Sequence, residues 1–346
     1  MLCNLMPPPP NQPQNVAPPA PRALIANKNE RLALLQSIER ERGSRVIAYI
    51  TADREVLPTV IGSDVVPLFY QHLEKIGEVD LIDIFLYTRG GHTLTPNRIV
   101  HLVREYCKKF GVLVPFRAHS AGTSLALGAN EIVMGPLGEL GPVDPSVTND
   151  FNPDAEDKKA DGKKPKIPIS VEDVTAFLSL AKEKAGINNT EGMVQALKFL
   201  TDKIHPLALG NVHRQYQLIR TMSKRLLSRH LNPETEGTRI DKIIDVLSEK
   251  LYFHGYEVSR YEAKEVIGLP VVYATGSLAK SMWQLLETYK SDVPLDTVSI
   301  TGNNFVVDGA VIESSDLTHS FVFEGVAKTT KEGVSAEVQR SGWKVI

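Results

Sequence analysis

Cysteine is almost missing from this chain. Cys3 and Cys107 are the only two in 346 residues. One falls in a proline-rich stretch and the other on an expected helix, so no disulfide framework is available and a reducing, cytoplasmic setting suits the chain. No Cys-x-x-Cys pair offers a zinc site, and no metal is expected. An excess of one charge is lacking as well: 39 basic residues stand against 41 acidic ones, a net charge of −2. That balance speaks against a nucleic-acid or membrane-surface protein. Apolar runs stay below the roughly 20 residues that span a bilayer. The N-terminus lacks a basic segment followed by an apolar one, so export is not expected. GxxxxGK is absent, and no GxGxxG follows a strand. Neither an ATPase motor nor a dinucleotide site is indicated, and no cofactor is expected.

What the chain has is a 42% apolar composition, enough for a substantial core. Residues 1–25 carry Pro7 to Pro10, Pro13, Pro18, Pro19 and Pro21, the composition of an extended, disordered tail. From 26 to 290 the pattern is that of one α/β domain. Strands are expected at Arg45–Ile50, Val79–Tyr87, Val112–Phe116 and Glu131–Met134. Between them lie a helix at Asp64–Ile76 and another with Ile99, Val103, Tyr106 and Phe110 on one face. β-branched strands alternating with helices imply a mostly parallel sheet covered by helices. Residues 148–168 interrupt this with a mixed charge run that reads as a mobile loop. Residues 169–235 read as a helical insertion, with helices at 171–185, 191–204 and 211–229. Further helices are expected at 237–250, 262–267 and 279–289. Residues 291–346 read as a small β appendage in which Asp308-Gly309 separates two β-type runs.

The candidate chemistry lies in Val112–Asp144. An apolar strand runs into Ala118-His119-Ser120-Ala121-Gly122 and then into a small-residue helix. A strand–turn–helix of this kind exposes a serine hydroxyl beside the free N–H groups of the helix start. Taken alone, Ser120 is as well explained as a helix N-cap. Gly90-Gly91 tips the balance: it follows the strand Val79–Tyr87, and one helix and one strand separate it from Ser120. In a parallel sheet that connection returns the two turns side by side, so that the N–H groups of Gly91 and Ala121 could face one oxyanion. Gly90 and His92 are candidate substrate contacts. A base is still needed. His119 adjoins the serine but points away from it on this reading, whereas His205, His213 and His254 stay open. Asp144, in Gly141-Pro142-Val143-Asp144-Pro145, is either a turn former or an acid.

These residues resemble a known family. Thr88-Arg89-Gly90-Gly91, Ser120-Ala121-Gly122 and Glu131-Ile132-Val133-Met134 look like the core of Clp-type serine proteases and signal peptide peptidases. Ser-Ala-Gly-Thr, Leu-Gly-Pro-Val-Asp-Pro, Ile-His-Pro-Leu-Ala-Leu-Gly and the run from His254 to Ala263 resemble the serine dehydrogenase proteinase family of Clp-fold proteins. The resemblance covers roughly residues 45–275. It implies a Clp/crotonase-like α/β spiral of ββα units, with the helical insertion and the C-terminal β appendage added to it. It also implies Ser120 as nucleophile, Gly91 and Ala121 as oxyanion hole, and a triad in the order Ser120, Asp144, His254; apart from the resemblance, His205 or His213 on the inserted helices is the alternative base. Where a Clp protease has its histidine this chain has Asp144, and where it has its aspartate this chain has His254. The expected activity is that of a serine endopeptidase acting on a peptide or protein, working as a homo-oligomer, with a separate ATPase or adaptor as a further partner. The rivals are a crotonase-like acyl-CoA thioester enzyme and an inactive scaffold on the same fold.

Overall fold

The computed structural model describes residues 22–143, 146–155, 164–251, 253, 255–298, 300, 304–330 and 333–346. A short turn of helix, α1 (Ala23–Ala26), leads into α2 (Lys28–Arg42), which stops at Gly43 with φ 63°. Glycine takes this left-handed conformation at little cost, and the helix ends there. Then follow β1 (Arg45–Thr51), α3 (Val66–Ile76), β2 (Val79–Tyr87), α4 (Thr95–Arg104) and β3 (Cys107–Val114). Next come β4 (Arg117–Ala118), α5 (Ala121–Leu127), β5 (Glu131–Met134) and β6 (Glu139–Leu140).

A small hairpin, β7 (Ser146–Val147) with β8 (Ile169–Ser170), opens the helical part. Its helices are α6 (Val171–Ser179), α7 (Thr190–Thr201), α8 (Pro206–Leu227) and α9 (Pro233–Asp245). β9 (Val258–Ser259), β10 (Val271–Tyr273) and α10 (Gly276–Asp292) return the chain to the core. The last strands are β11 (Asn304–Ser314), β12 (Leu317–Thr330) and β13 (Gly333–Val345).

One eight-stranded sheet runs in the order β10-β5-β3-β2-β1-β11-β12-β13. From β10 to β1 every pairing is parallel, and from β1 onward every pairing is antiparallel. A second sheet, β4-β6-β9, stands beside it. Strands buried on both faces explain the near-continuous apolar runs of β1 and β2. One core layer joins α3, α4, α5 and α9 to the sheet through Phe69, Val103, Leu125 and Ile243. The other packs α2 and α10 on the opposite face through Leu35, Ile38, Met282 and Leu285. The result is a Clp/crotonase-type α/β fold. No helix among the described residues is long and apolar enough to cross a membrane.

Four expectations about elements change. Tyr106 and Phe110 do not continue the helix: α4 ends at Arg104, and Cys107 begins a strand that pairs with Val79. β2 is nine residues long and offers β3 a partner over its whole length. α8 starts at Pro206 rather than at 211, because His205 caps it and proline fits the first helical position. Asp308-Gly309 is a bulge inside β11, and the reversal falls at Ser315-Asp316. The β appendage is continuous with the main sheet, through Ala48–Thr51 of β1 paired with Ala310–Glu313 of β11. The charged loop has laddered flanks, with Ala155 N–H to Pro165 O at 2.8 Å and Ile167 N–H to Pro153 O at 2.8 Å. Its tip, 156–163, and the proline-rich residues 1–21 lie outside the described residues.

Candidate active site

The site is assembled by Thr88, the residue that follows β2. Its N–H donates to Arg117 O at 3.0 Å, and its carbonyl accepts from His119 N–H at 3.1 Å. Its Oγ1 accepts Gly90 N–H at 3.0 Å and pairs with Thr51 Oγ1 at 2.8 Å. One buried threonine therefore holds the Gly-Gly turn and the serine turn together. Gly122 lets the helix start approach it: a Cβ there would lie 2.6 Å from Thr88 Cγ2.

Gly90 and Gly91 have φ of 113° and 147°, values that side-chain-bearing residues rarely adopt. A Cβ on Gly90 would come within 2.8 Å of Ser120 Cβ, and one on Gly91 within 2.5 Å of the Ile61 backbone. Ile61 donates to Gly90 O at 2.8 Å and accepts from His92 N–H at 2.8 Å. These contacts engage Gly90 N–H, Gly90 O and His92 N–H. Gly91 N–H makes no hydrogen bond among the described residues, and neither does Ala121 N–H at the start of α5.

Ser120 occupies the N-cap position of α5 but does not cap it. Its φ of 50° and ψ of −109° lie far from the extended geometry of a capping serine, and its hydroxyl accepts nothing from the helix. Such a conformation costs about 1–3 kcal/mol and persists only where its surroundings enforce it. Thr123 does the bracing. Its Oγ1 donates toward Ala118 O at 2.7 Å and Gly141 O at 3.0 Å, and it accepts Gly141 N–H at 3.0 Å. The serine turn is thus tied to the loop leading to Val143, whose N–H is held by Leu247 O at 2.9 Å.

Behind the two turns lies a chain of charge. Asp53, almost fully buried, pairs with Arg89 at 2.9 Å and Arg117 at 3.1 Å and accepts from Tyr87 Oη at 3.2 Å. Burial first, then Asp53, pushes the Tyr87 phenol up. Arg117 also meets Glu139 at 3.0 Å, and His119 Nε2 lies 3.1 Å from the same carboxylate. Burial pushes the Glu139 carboxyl up, but His119 and Arg117 outweigh it and hold the group below its usual range. The His119 contact is close yet poorly aligned, since Nε2 makes no hydrogen bond of normal geometry. The contact turns the His119 ring toward Glu139.

The other histidines divide clearly. His92 is exposed beside the Gly-Gly turn, with Nδ1 3.2 Å from Thr95 Oγ1. His205 caps α8 through Leu207 N–H at 3.2 Å and stacks on Phe151 at 4.9 Å. His213 sits exposed on α8 against Tyr216. His101 meets Arg229 at 2.7 Å, and His230 bonds Leu127 O at 3.0 Å. No described histidine bonds Ser120 Oγ. Asp144 and His254 lie outside the described residues. Among the described residues no group of His, Cys, Asp or Glu could hold a metal ion.

Residues 19–216 match the ClpP-like SDH-type serine proteinase family. The chain belongs to that family. The matched segment contains both turns, Asp144, His205 and His213, and it ends before His254. Two uncharacterized proteins of Methanocaldococcus jannaschii are similar to this chain. One is 34% identical over 129 residues, 34% of this chain and 42% of the relative. The other is 27% identical over 276 residues, 76% of this chain and 79% of the relative. The match to the first thus spans less than half of that relative's length. A solved structure of a mutant of the 1510-N membrane-bound stomatin-specific protease aligns over 74% of this chain and 92% of its own, at 16% identity and TM-score 0.37.

Thr88, Ile61 and the Asp53–Arg117–Glu139 chain were not found by reading the sequence. Asp53-Arg54, charged residues directly after an apolar strand, gave the one usable signal. Ile61 acts through its backbone, which leaves no mark in composition.

Proposed function

We propose that the chain is a serine endopeptidase. Ser120 Oγ attacks the carbonyl carbon of a peptide bond while a histidine takes the hydroxyl proton. The carbonyl oxygen becomes an oxyanion, received by the N–H groups of Gly91 and Ala121. The histidine then passes its proton to the leaving amine, and water releases the acyl group. Asp144 orients the histidine, and the family's order of residues favours His254 in that role. His205 is the weaker alternative, since its Nδ1 is engaged by Leu207 N–H. Gly90 and His92 flank the incoming chain.

The observation that carries this reading is the strained, uncapped Ser120 packed against Gly90. A capping serine would have no need of that backbone. One observation favours the inactive-scaffold reading: no described ring nitrogen bonds Ser120 Oγ. Labelling by a fluorophosphonate probe separates the two. The intact protein is expected to label and Ser120→Ala to stay unlabelled. Equal labelling of both removes Ser120 from the mechanism, and no labelling of either favours the scaffold.

The working form is proposed to be a homo-oligomer, with an ATPase or adaptor as a separate partner. In support, Val194, Leu197 and Phe199 on α7 leave large apolar side chains 60%, 46% and 70% exposed. Light scattering in the same preparation should give a multiple of 38.2 kDa; a single monomeric species would refute the assembly.

A further inference from the structure

The loop that braces the Gly-Gly turn also walls a second pocket. It has a volume of about 270 Å³ and is lined by Phe321, Phe323, Trp343, Ala310, Thr59 and Asp64, among others. The strand geometry builds it. Phe321 and Phe323 are two apart on β12 and share a face, while Trp343 of β13 is Phe321's direct cross-strand partner. Phe321 meets Phe323 edge-on at 5.2 Å and Trp343 at 5.5 Å. On the other side Phe321 pairs with Ala310, whose small side chain leaves the space open. The bulge at Gly309 brings the loop in, with Thr59 Oγ1 donating to Gly309 O at 2.6 Å.

Three half-buried rings and one carboxylate line this cavity. Asp64 is exposed and accepts Trp343 Nε1–H at 2.7 Å through Oδ2. Its Oδ1 accepts nothing and meets no cation among the described residues, and no lining residue is positively charged. Aromatic faces with an unpaired carboxylate at the rim attract a cation that carries apolar carbon. The position matters as much as the chemistry. Gly62 and Val60 line the pocket and flank Ile61, which is bridged to Gly91. Chain geometry puts Gly62 within roughly 9 Å of Gly91.

We propose that this pocket is a specificity subsite that takes a basic side chain, lysine or arginine, of the polypeptide whose scissile bond lies at Ser120. The proposal rests on the peptidase reading above. Its occupant is an extended side chain reaching from the substrate backbone along the loop at residues 58–62, with the alkyl stem against Phe321 and Phe323 and the charged end at Asp64.

Binding and cleavage are measured separately. Fluorescein-labelled peptides of one scaffold, carrying lysine, norleucine or glutamate at a single place moved along the chain, are titrated against the full-length Ser120→Ala protein by anisotropy. At one place lysine is expected to bind about tenfold tighter than norleucine, and glutamate weaker than both. With Asp64→Asn added, which keeps an acceptor for Trp343, the gap should shrink to about twofold. Equal binding of lysine and norleucine at every place overturns the proposal, as does an unchanged gap in Asp64→Asn. Displacement of the lysine peptide by tetramethylammonium as readily as by an unlabelled lysine peptide also overturns it, in favour of a small-cation site. Cleavage by the intact protein without the binding gap defeats the subsite alone. The gap without cleavage or fluorophosphonate labelling defeats the peptidase reading and leaves the pocket as a basic-peptide site.

Discussion

Among the described residues Ser120 and Leu57 are the side-chain-bearing residues with positive φ, and the cost at Ser120 can be measured. A non-glycine residue at φ 50° and ψ −109° is strained by about 1–3 kcal/mol. Glycine would remove that strain and lose about 0.5–1 kcal/mol in chain entropy. Ser120→Gly is therefore expected to be about 1 kcal/mol more stable than Ser120→Ala in urea unfolding, although both lose the hydroxyl. Equal midpoints would mean that the backbone relaxes freely and that Ser120 is not held in place. The serine turn was legible because the apolar run Val112–Phe116 gives way to Ala, Ser and Gly at one point. What held the turn was not legible. Thr88 reads as an ordinary strand end, yet it is fully buried and bonds Thr51, Gly90 and the serine strand at once.

Where α3 meets β11 and β12, two histidines form a buried clasp. His72 Nδ1 lies 2.8 Å from Ser314 Oγ, and His72 Nε2 lies 3.1 Å from His319 Nδ1. His319 Nε2 in turn reaches Gln71 at 3.1 Å. Burial, then the charge of His319 and of Lys75, lowers the His72 pKa to about 3. Below its ordinary value near 6.5 the unfolded chain takes up a proton that the folded chain refuses until about pH 3. The unfolded state then binds more protons, so stability falls as pH drops through this window, by up to about 1.4 kcal/mol per unit. His72→Gln can still bond both neighbours without titrating. Its unfolding free energy should fall less steeply between pH 6.5 and 4.5 than that of the parent, and equal slopes would show that His72 titrates normally. The sequence did not announce this clasp, because its partners lie more than 240 positions apart. It misled in the same way at Tyr106 and Phe110. Those residues keep helical spacing with Ile99 and Val103, but Tyr106 reaches the same core layer from the bend before β3 and Phe110 from β3 itself.

Across the whole molecule the decisive feature is that one sheet runs from β10 through the strands that carry the Gly-Gly and serine turns to β13. The parallel half was readable from its apolar runs alternating with helices. The antiparallel half was readable as β structure but not as part of the same sheet, because nothing in an edge strand's composition names its partner. Charge seals the junction. Arg31 on α2, with no exposed surface, pairs with Asp292 at the end of α10 and with Glu313 of β11 at 2.8 Å. Tyr289 and Thr318 donate to the same Glu313, at 2.7 and 2.9 Å. A buried cation that loses one partner typically costs about 3–5 kcal/mol. Removing β11–β13 would do this to Arg31 and would also uncover the backbone of β1 over Ala48–Thr51, leaving an apolar strand with an open edge. A chain ended after residue 296 is therefore expected to aggregate on expression rather than fold as a smaller peptidase. Sedimentation and fluorophosphonate labelling of the soluble fraction check this together. A soluble fragment that labels at Ser120 would show that the C-terminal strands are dispensable to the fold, and would leave the aromatic pocket they carry as an addition to a complete catalytic unit.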